Sequence, residues 1–216
     1  MESVLKRISS WNPNFGTVLD MGAAKGNWSK QALTLFPDSR VIGVDPLKER
    51  EPYLSKVKAA YPDRYDFIMA VAGPTDGGEV ELAVTADLDG STVDGREGEK
   101  RLVPVISVDG MVARLGLKGP FFLKFDTHGF ERPILDGSEE TLKQTKYIVM
   151  EAYNYRHTAE TMLFHEMIAH METKGFRVFN LVDILNREFD GALWQIDLFF
   201  ARAEDPIFKS NSYRHA

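Results

Sequence analysis

The chain has 216 residues, of which 44% are hydrophobic and 27% are charged, and its formal net charge is −6. The absence of cysteine excludes disulfides and thiolate metal sites, and an acidic balance without a basic stripe argues against a nucleic-acid partner. We expect neither a signal peptide nor a membrane span, because no apolar run is long enough, and we predict a cytoplasmic protein with one domain over 1–216.

The first third of the chain alternates short apolar runs with amphipathic stretches, which is typical of βαβ units around a parallel sheet. Residues 1–16 are expected to form a helical extension before the first strand. Strands are predicted at Thr17–Met21, Arg40–Val44 and Phe67–Val71, with helices at Gly26–Phe36 and Tyr53–Tyr61 between them.

The middle of the chain is rich in glycine and is expected to consist mainly of loops. Later elements have clearer patterns. Short strands are predicted at Glu79–Val84 and Leu102–Ile106, longer ones at Phe121–Phe125, Tyr147–Met150, Phe176–Val182 and Leu193–Ala201, and helices at Val108–Leu115, from the Ser138 cap to Thr145, and at Thr158–Lys174.

These elements predict an α/β fold with a doubly wound, mostly parallel, Rossmann-like sheet of seven strands. The last two strands have no helix between them, so we expect an antiparallel hairpin at one edge of the sheet. The edge at Leu193–Ala201 is a place where two copies could pair as a homodimer. Residues 205–216 are expected to form a mobile tail.

The turn after the first strand reads G-x-x-x-G, at Gly22 and Gly26, rather than the G-x-G-x-x-G of dinucleotide-binding proteins. Asp45 follows the second strand at the spacing at which a carboxylate holds a ribose diol. Asp20 beside the turn would repel a pyrophosphate but would suit an ammonium or sulfonium group. The helix start at Gly26-Asn27 favours a carboxylate or a phosphate. This combination points to S-adenosylmethionine (SAM).

The chain also resembles a known family over about Val18 to Phe200. The resemblance is carried by six successive blocks: VLDMGAAKGNWS, VIGVDP, LDGSTV, FFLKFDTHGFERPILDG, YIVMEAY and LWQIDLFF. They are similar to the blocks of the FkbM-type methyltransferases, which resemble class I SAM-dependent enzymes, many of them methylating hydroxyl groups of natural products or sugars.

The resemblance implies a role for each residue of the cofactor site. Asp45 would hold the ribose, and Val71 and Ala72 would flank the adenine. The residues that would line the methionine part are Asp20, Gly22, Ala23, Lys25, Gly26 and Asn27. Asp126 ends the fourth strand of the sheet, and we predict that it contacts the cofactor as well.

A hydroxyl acceptor needs a base, and the candidates are His128, Asp126 and His157. We predict His128 and Asp126 as catalytic residues. His128 is also a departure from the family, because Thr127-His128 replaces the expected pair inside the D-x-x-G-x-E block. The residues predicted to bind the acceptor are Ser91, Glu131, Glu151, Tyr153 and His157.

Asp126, His128 and Glu131 could instead form a site for a hard metal ion. Their spacing matches no metal signature, and Arg132 offers Glu131 a competing partner, so no metal is predicted.

The resulting hypothesis is a SAM-dependent O-methyltransferase that acts on a small molecule or a glycan. Two alternatives remain at this point. One is a nicotinamide-dependent oxidoreductase on a related sheet, against which the missing third glycine counts. The other is a binding module that keeps the cofactor pocket without turnover.

Overall fold

The computed structural model describes residues 1–156 and 158–214. Its strands are β1 Thr17–Met21, β2 Arg40–Val44, β3 Tyr65–Ile68, β4 Val71–Gly73, β5 Glu79–Val84, β6 Thr92–Val93, β7 Glu99–Ser107, β8 Phe121–Phe125, β9 Thr145–Tyr153, β10 Phe176–Asn186 and β11 Leu193–Arg202. Its helices are α1 Glu2–Ser10, α2 Asn27–Leu35, α3 Glu51–Ala60, α4 Val108–Leu115, α5 Glu131–Asp136, α6 Glu139–Lys143 and α7 Phe164–Thr173.

The main sheet has seven strands in the order β10-β11-β9-β8-β1-β2-β3. The strand β1 lies between β2 and β8 and is parallel to both, while β11 is antiparallel to β9 and β10. The carboxyl ends of β1, β2, β8 and β9 therefore meet at one edge of the sheet. The predicted fold class, including the antiparallel edge hairpin, is confirmed.

Alternate side chains of each strand enter two separate apolar cores, one on each face of the sheet. Val18 and Phe122 pack on the face covered by α1, α2 and α3. Leu19 and Leu123 pack on the opposite face, against α4, α5, α6 and α7. Because both faces are covered, the central strands β1 and β8 are fully buried, which explains their continuous apolar sequence.

Phe122 is the centre of an aromatic cluster on the first face. Its ring centroid lies 5.2 Å from that of Phe15, 5.7 Å from that of Trp28 and 5.8 Å from that of Phe36. Phe15 precedes β1, and the other two come from the helix α2 and its end. The cluster thus fixes α2, and with it the turn that precedes the helix, against the sheet.

The glycine-rich middle of the chain forms a second sheet rather than a set of loops. Its strands have the order β4-β7-β5-β6, with β5 antiparallel to both β6 and β7. The expected strand Glu79–Val84 is found with the same bounds, whereas β4 and the two-residue β6 were not predicted. Short strands of this kind carry too few alternating residues to be recognised by pattern.

Several predicted elements have different bounds in the structure. The expected strand Phe67–Val71 divides, because the chain leaves the main sheet after Ile68 and Val71 pairs with Val105 of the second sheet. The expected helix from Ser138 to Thr145 is shorter at both ends. The Ser138 hydroxyl donates a hydrogen bond to the Ile134 carbonyl and does not cap the helix, and Thr145 already belongs to β9.

The long helix expected over Thr158–Lys174 begins only at Phe164. Thr158 is held outside the helix, because its hydroxyl bonds to the Gly129 carbonyl at 3.2 Å and to Thr161 at 2.8 Å. The helix start is stabilised instead by Glu166, whose carboxylate accepts from the Leu163 N–H at 2.9 Å.

The helix α1 and the segment 205–208 pack on the body of the protein. The helix α1 buries Val4, Leu5 and Ile8 on the first face of the sheet. Asp205 accepts from the Tyr147 hydroxyl at 3.3 Å and begins a 3₁₀ turn at Pro206–Phe208, so the start of the expected mobile tail is docked. Within the described part of the chain, no helix has the length and hydrophobicity to cross a bilayer.

We predict that Phe122→Ala lowers the free energy of unfolding by about 3–5 kcal/mol, because it removes a fully buried ring from the aromatic cluster. Leu102→Ala is the matched control, since Leu102 is 69% exposed and its loss is expected to change stability by less than about 0.5 kcal/mol. Urea unfolding followed by circular dichroism measures both, and equal effects would contradict the assignment of the core.

Candidate active site

A cavity of about 320 Å³ lies at the carboxyl ends of β1, β2, β8 and β9. The second sheet and the segment 85–93 close its other side. This is the edge at which open α/β sheets bind their ligands. The lining residues that the sequence had singled out are Gly22, Asp45, Val71, Ala72, Ser91, Asp126, His128 and Glu151.

The turn after β1 is held in an unusual backbone conformation. Gly22, Ala24 and Gly26 all have positive φ, at 78°, 46° and 70°. The N–H groups of Gly22 and Ala23 both donate to the Val44 carbonyl, at 2.9 and 3.1 Å. A Cβ at Gly22 would lie 1.9 Å from the Asp126 carbonyl oxygen, so the close approach of this turn to the end of β8 requires glycine.

Several residues of this turn lie outside the cavity lining. Ala23 is buried in the first core, and a Cβ at Gly26 would lie 2.9 Å from Val57, which shows how tightly the turn packs on α3. Lys25 and Asn27 are exposed, the former with its ammonium 5.7 Å from the Tyr53 ring centroid. Ala24, which sequence reasoning did not select, lines the cavity instead.

Asp20 is fully buried behind the turn and does not stand at its mouth. Its carboxylate accepts from the Ser29 hydroxyl at 2.6 Å and pairs with the Lys124 ammonium at 3.0 Å. The expectation of an unbalanced carboxylate facing the ligand is therefore wrong, because Lys124 neutralises it.

Lys124 joins three parts of the site. Its ammonium also donates to the Gly22 carbonyl at 3.0 Å and pairs with Asp126 at 3.2 Å. Burial by itself would lower the pKa of Lys124, but the charges of Asp126 and Asp20 outweigh burial and raise it above that of an ordinary lysine. Lys124 is therefore a permanent cation that fixes the positions of both carboxylates.

Asp45 presents its carboxylate to the cavity. One oxygen accepts from the Ala24 N–H at 2.8 Å and the other from the Leu47 N–H at 3.0 Å. Burial raises the pKa of Asp45 above its usual value, although these two N–H groups and the nearby Arg50 charge act in the opposite direction. Each oxygen keeps lone pairs that can accept from a ligand.

His128 stands on the loop after β8 with a positive φ of 54°. Its Nδ1 lies 2.9 Å from the Tyr153 hydroxyl and 3.2 Å from Oε2 of Glu151, and its Nε2 lies 4.0 Å from Asp126. Burial would lower the pKa of His128, but the hydrogen bond to Glu151 and the surrounding carboxylates raise it to about 9. The imidazole is therefore mostly protonated at neutral pH.

Glu151 is held in place by two further hydrogen bonds. The Tyr153 hydroxyl donates to one of its oxygens, and the Gln195 amide donates to the other. Burial raises the pKa of Tyr153, so this side chain remains a neutral donor. Asp197 lies opposite Glu151 on β11, and burial next to that charge raises the pKa of Asp197 to about 8.

Glu131, predicted to bind the acceptor, is buried beneath the loop instead. It accepts from the Thr127 hydroxyl at 3.0 Å and from the Gly129 N–H at 3.1 Å, so it braces the loop that carries His128. Burial raises the pKa of Glu131 to about 7. His157, the other predicted acceptor contact, lies outside the described residues.

Asp126, His128 and Glu151 have ligand atoms within 4.8 Å of one another, which is close enough to surround a metal ion. Protein groups already engage these three side chains. The Lys124 ammonium lies 3.2 Å from Asp126, and Tyr153 bonds to both His128 and Glu151. The geometry therefore favours proton and hydrogen-bond chemistry over metal binding.

The polar residues of the site that sequence reasoning missed include Arg50, Lys124, Gln195 and Asp197. Lys124 had the clearest signal, because a lysine inside the apolar strand FFLKF must find counter-charges when both faces are covered. Gln195 and Asp197 likewise interrupt the apolar run of β11. Arg50 lies in a stretch of mixed charge that looks like ordinary surface.

Many solved structures share this fold, among them three methyltransferases. The chain is similar to the methyltransferase FkbM of Methylobacillus flagellatus, with 16% identity, a TM-score of 0.53 and coverage of 86% of this chain and 43% of that one. It therefore spans less than half the length of that protein. No curated protein sequence matches the chain.

The other two structures have different acceptors in their names. One is the 1,6-didemethyltoxoflavin-N1-methyltransferase of Burkholderia thailandensis, with 12% identity, a TM-score of 0.53 and coverage of 94% of this chain and 78% of that one. The other is an rRNA methylase of Streptococcus thermophilus, with 11% identity, a TM-score of 0.51 and coverage of 93% and 95%. At these identities the likeness shows the fold alone.

The family is shown by the sequence itself. Residues 20–178 match the family model of the methyltransferase FkbM domain. This match covers well over half of the chain, including the turn after β1, Asp45 and the loop that carries His128. It is incompatible with the nicotinamide-dependent alternative. The chain therefore belongs to the FkbM family of SAM-dependent methyltransferases.

Proposed function

We propose that this protein transfers a methyl group from SAM to a hydroxyl group of a small molecule or a sugar. The observation that carries the proposal is the position of His128, whose imidazole lines the cavity and is oriented from behind by Glu151 and Tyr153. A base in this position suits an acceptor that must lose a proton as it is methylated.

The cavity fits the proposed cofactor. Its volume of about 320 Å³ is within the range of small-molecule sites. Asp45 would accept from the ribose hydroxyls, and the apolar surface of Val71 and Ala72 would contact the adenine. Gly22 and Asp126 would lie near the methionine part, because the turn after β1 has no side chain at Gly22 that would fill this part of the cavity.

When bound, SAM supplies a methyl group on a positively charged sulfur. The chain's part in the reaction is to hold the acceptor hydroxyl in the cavity and to take its proton. With Nδ1 donating toward Tyr153 and Glu151, the neutral form of His128 has its lone pair on Nε2, which is the atom that would receive the proton. Glu151 then stabilises the imidazolium that forms.

The remaining predicted contacts have distinct proposed roles. Ser91 lines the cavity and would contact the acceptor, although its Oγ already accepts from the Thr85 N–H at 3.1 Å. Asp126 is the alternative base, since it is ionised beside Lys124 and partly exposed. Glu131 and Tyr153 would act through His128 rather than through direct contact.

The test of this function is an assay of S-adenosylhomocysteine release with a panel of polyhydroxylated, phenolic and amine acceptors and ¹³C-methyl SAM. We expect turnover with hydroxyl acceptors and a product whose ¹³C shift is that of a methoxy carbon. A product with an N-methyl carbon would contradict the choice of acceptor. Cofactor binding without turnover on any acceptor would favour the non-catalytic binding module.

We predict that Asp45→Asn weakens binding of S-adenosylhomocysteine about 10- to 100-fold, because one of the two charged acceptors for the ribose is lost. Isothermal titration calorimetry measures the change. Asp63→Asn is the control, since Asp63 is exposed and lies at the far end of α3. Equal affinities for both variants would show that Asp45 does not hold the cofactor.

We predict that kcat/KM rises about tenfold per pH unit and levels off near pH 9, because His128 must lose its proton before it can act as a base. His128→Gln should remove this dependence and lower kcat/KM about 10²–10⁴-fold. The profile is measured with whichever hydroxyl acceptor the panel identifies.

NMR titration of the His128 imidazole provides the independent control. Its pKa should lie near 9 in the wild type and should fall in Glu151→Gln, which removes the negative partner. A pH profile that is flat through this range while the imidazole titrates normally would assign the base to Asp126.

A further inference from the structure

The segment 85–93 forms a roof over the cavity, on the side of the second sheet, and is named the roof segment. Leu88, Asp89, Ser91, Thr92 and Val93 from this segment line the cavity. Two polar contacts connect the roof segment to residues that follow strands of the main sheet. The Thr92 hydroxyl donates to the His128 carbonyl at 2.8 Å, and Asp89 forms an ion pair with Arg50.

Arg50 is an unusual partner for a surface carboxylate. Its side chain is only 4% exposed, whereas that of Asp89 is 74% exposed. Arg50 lies at the start of α3, where its N–H donates to the Leu47 carbonyl at 2.8 Å, and it also lines the cavity. The guanidinium thus reaches from the end of β2 to the roof segment.

The guanidinium of Arg50 is not fully satisfied by the protein. Its Nε is buried and has no hydrogen-bond acceptor among the described residues. A buried donor of this kind is costly unless another group accepts from it. Since Arg50 lines the cavity beside Asp45, a ligand with oxygen or ring-nitrogen acceptors at that end of the cavity would supply the missing partner.

We propose that Arg50 is a cofactor-positioning residue that contacts the nucleoside half of SAM and, through its ion pair with Asp89, latches the roof segment over that half. The inference rests on the proposed placement of the ribose at Asp45. It does not depend on the nature of the acceptor or on the identity of the base.

The latch predicts a specific kinetic effect. Opening of the roof segment must precede release of the nucleoside, so loss of the ion pair should accelerate dissociation more than it slows association. The effect should be the same for ligands with and without the amino-acid part, because Arg50 lies at the Asp45 end of the cavity and not at the Gly22 turn.

The experiment measures association and dissociation rates of S-adenosylhomocysteine and of 5′-methylthioadenosine, which lacks the amino-acid part. Asp89→Asn is the principal variant, because Asp89 is exposed and its replacement leaves the core intact. We expect dissociation of both ligands to be about tenfold faster. Asp94→Asn is the matched control, since Asp94 is exposed on the adjoining stretch and asparagine tolerates its φ of 55°.

Two Arg50 variants separate the latch from direct contact with the ligand. Arg50→Lys keeps the charge that Asp89 needs but lacks the Nε donor. It should therefore bind S-adenosylhomocysteine less tightly than wild type and more tightly than Arg50→Met.

Tryptic cleavage after the exposed Arg96 should be slowed by S-adenosylhomocysteine in the wild type and less so in Asp89→Asn.

Unchanged rates and unchanged protection in Asp89→Asn would overturn the proposal. So would a loss confined to S-adenosylhomocysteine, because it would place the effect at the amino-acid end. Failure of the proposed function has a different outcome, since a protein that binds both nucleosides through the latch but methylates no hydroxyl acceptor would leave this inference intact.

Discussion

The buried ion cluster around Lys124 is the constraint on which the site depends. A lysine ammonium beneath two covered faces is tolerable only with counter-charges, and here Asp20 from β1 and Asp126 after β8 supply them. The same ammonium holds the Gly22 carbonyl, so the turn and both strand ends form one unit. Removing one partner from such a cluster typically costs about 3–5 kcal/mol, because a buried charge is left unpaired.

This unit also positions the loop that carries His128. Asp126 begins the loop, and Glu131 braces it from below through Thr127 and Gly129. The backbone of His128 has a positive φ, and its carbonyl accepts from the Thr92 hydroxyl of the second sheet. Backbone strain of this kind persists only where surrounding contacts over-determine it, and such positions are common in active sites.

The second sheet gives the glycine-rich middle of the chain a role in the site. It covers the cavity at the strand ends of the main sheet. One side of the cavity is formed by those strand ends and the other side by the second sheet and the segment 85–93. One side of the cavity is therefore rigid, because it is built on β1, β2 and β8. The other side is held by the apolar cluster that includes Leu47 and Val93, by the hydrogen bond from Thr92 to the His128 carbonyl and by the ion pair of Asp89 with Arg50.

The sequence by itself determined the main sheet and several of the cavity residues that stand at its strand ends. The apolar runs of strands buried on both faces, and the order of the family blocks, can be read from the sequence without coordinates. They identify the strands β1, β2 and β8 and the site residues Gly22, Asp45, Asp126 and His128. The burial of Asp20, the bracing role of Glu131 and the pairing of Arg50 with Asp89 required the tertiary structure. Asp20 and Arg50 have partners distant in the chain, and Glu131 is buried by the packing around its own loop. A charged residue has the same local pattern whether it faces solvent, a ligand or a buried counter-charge.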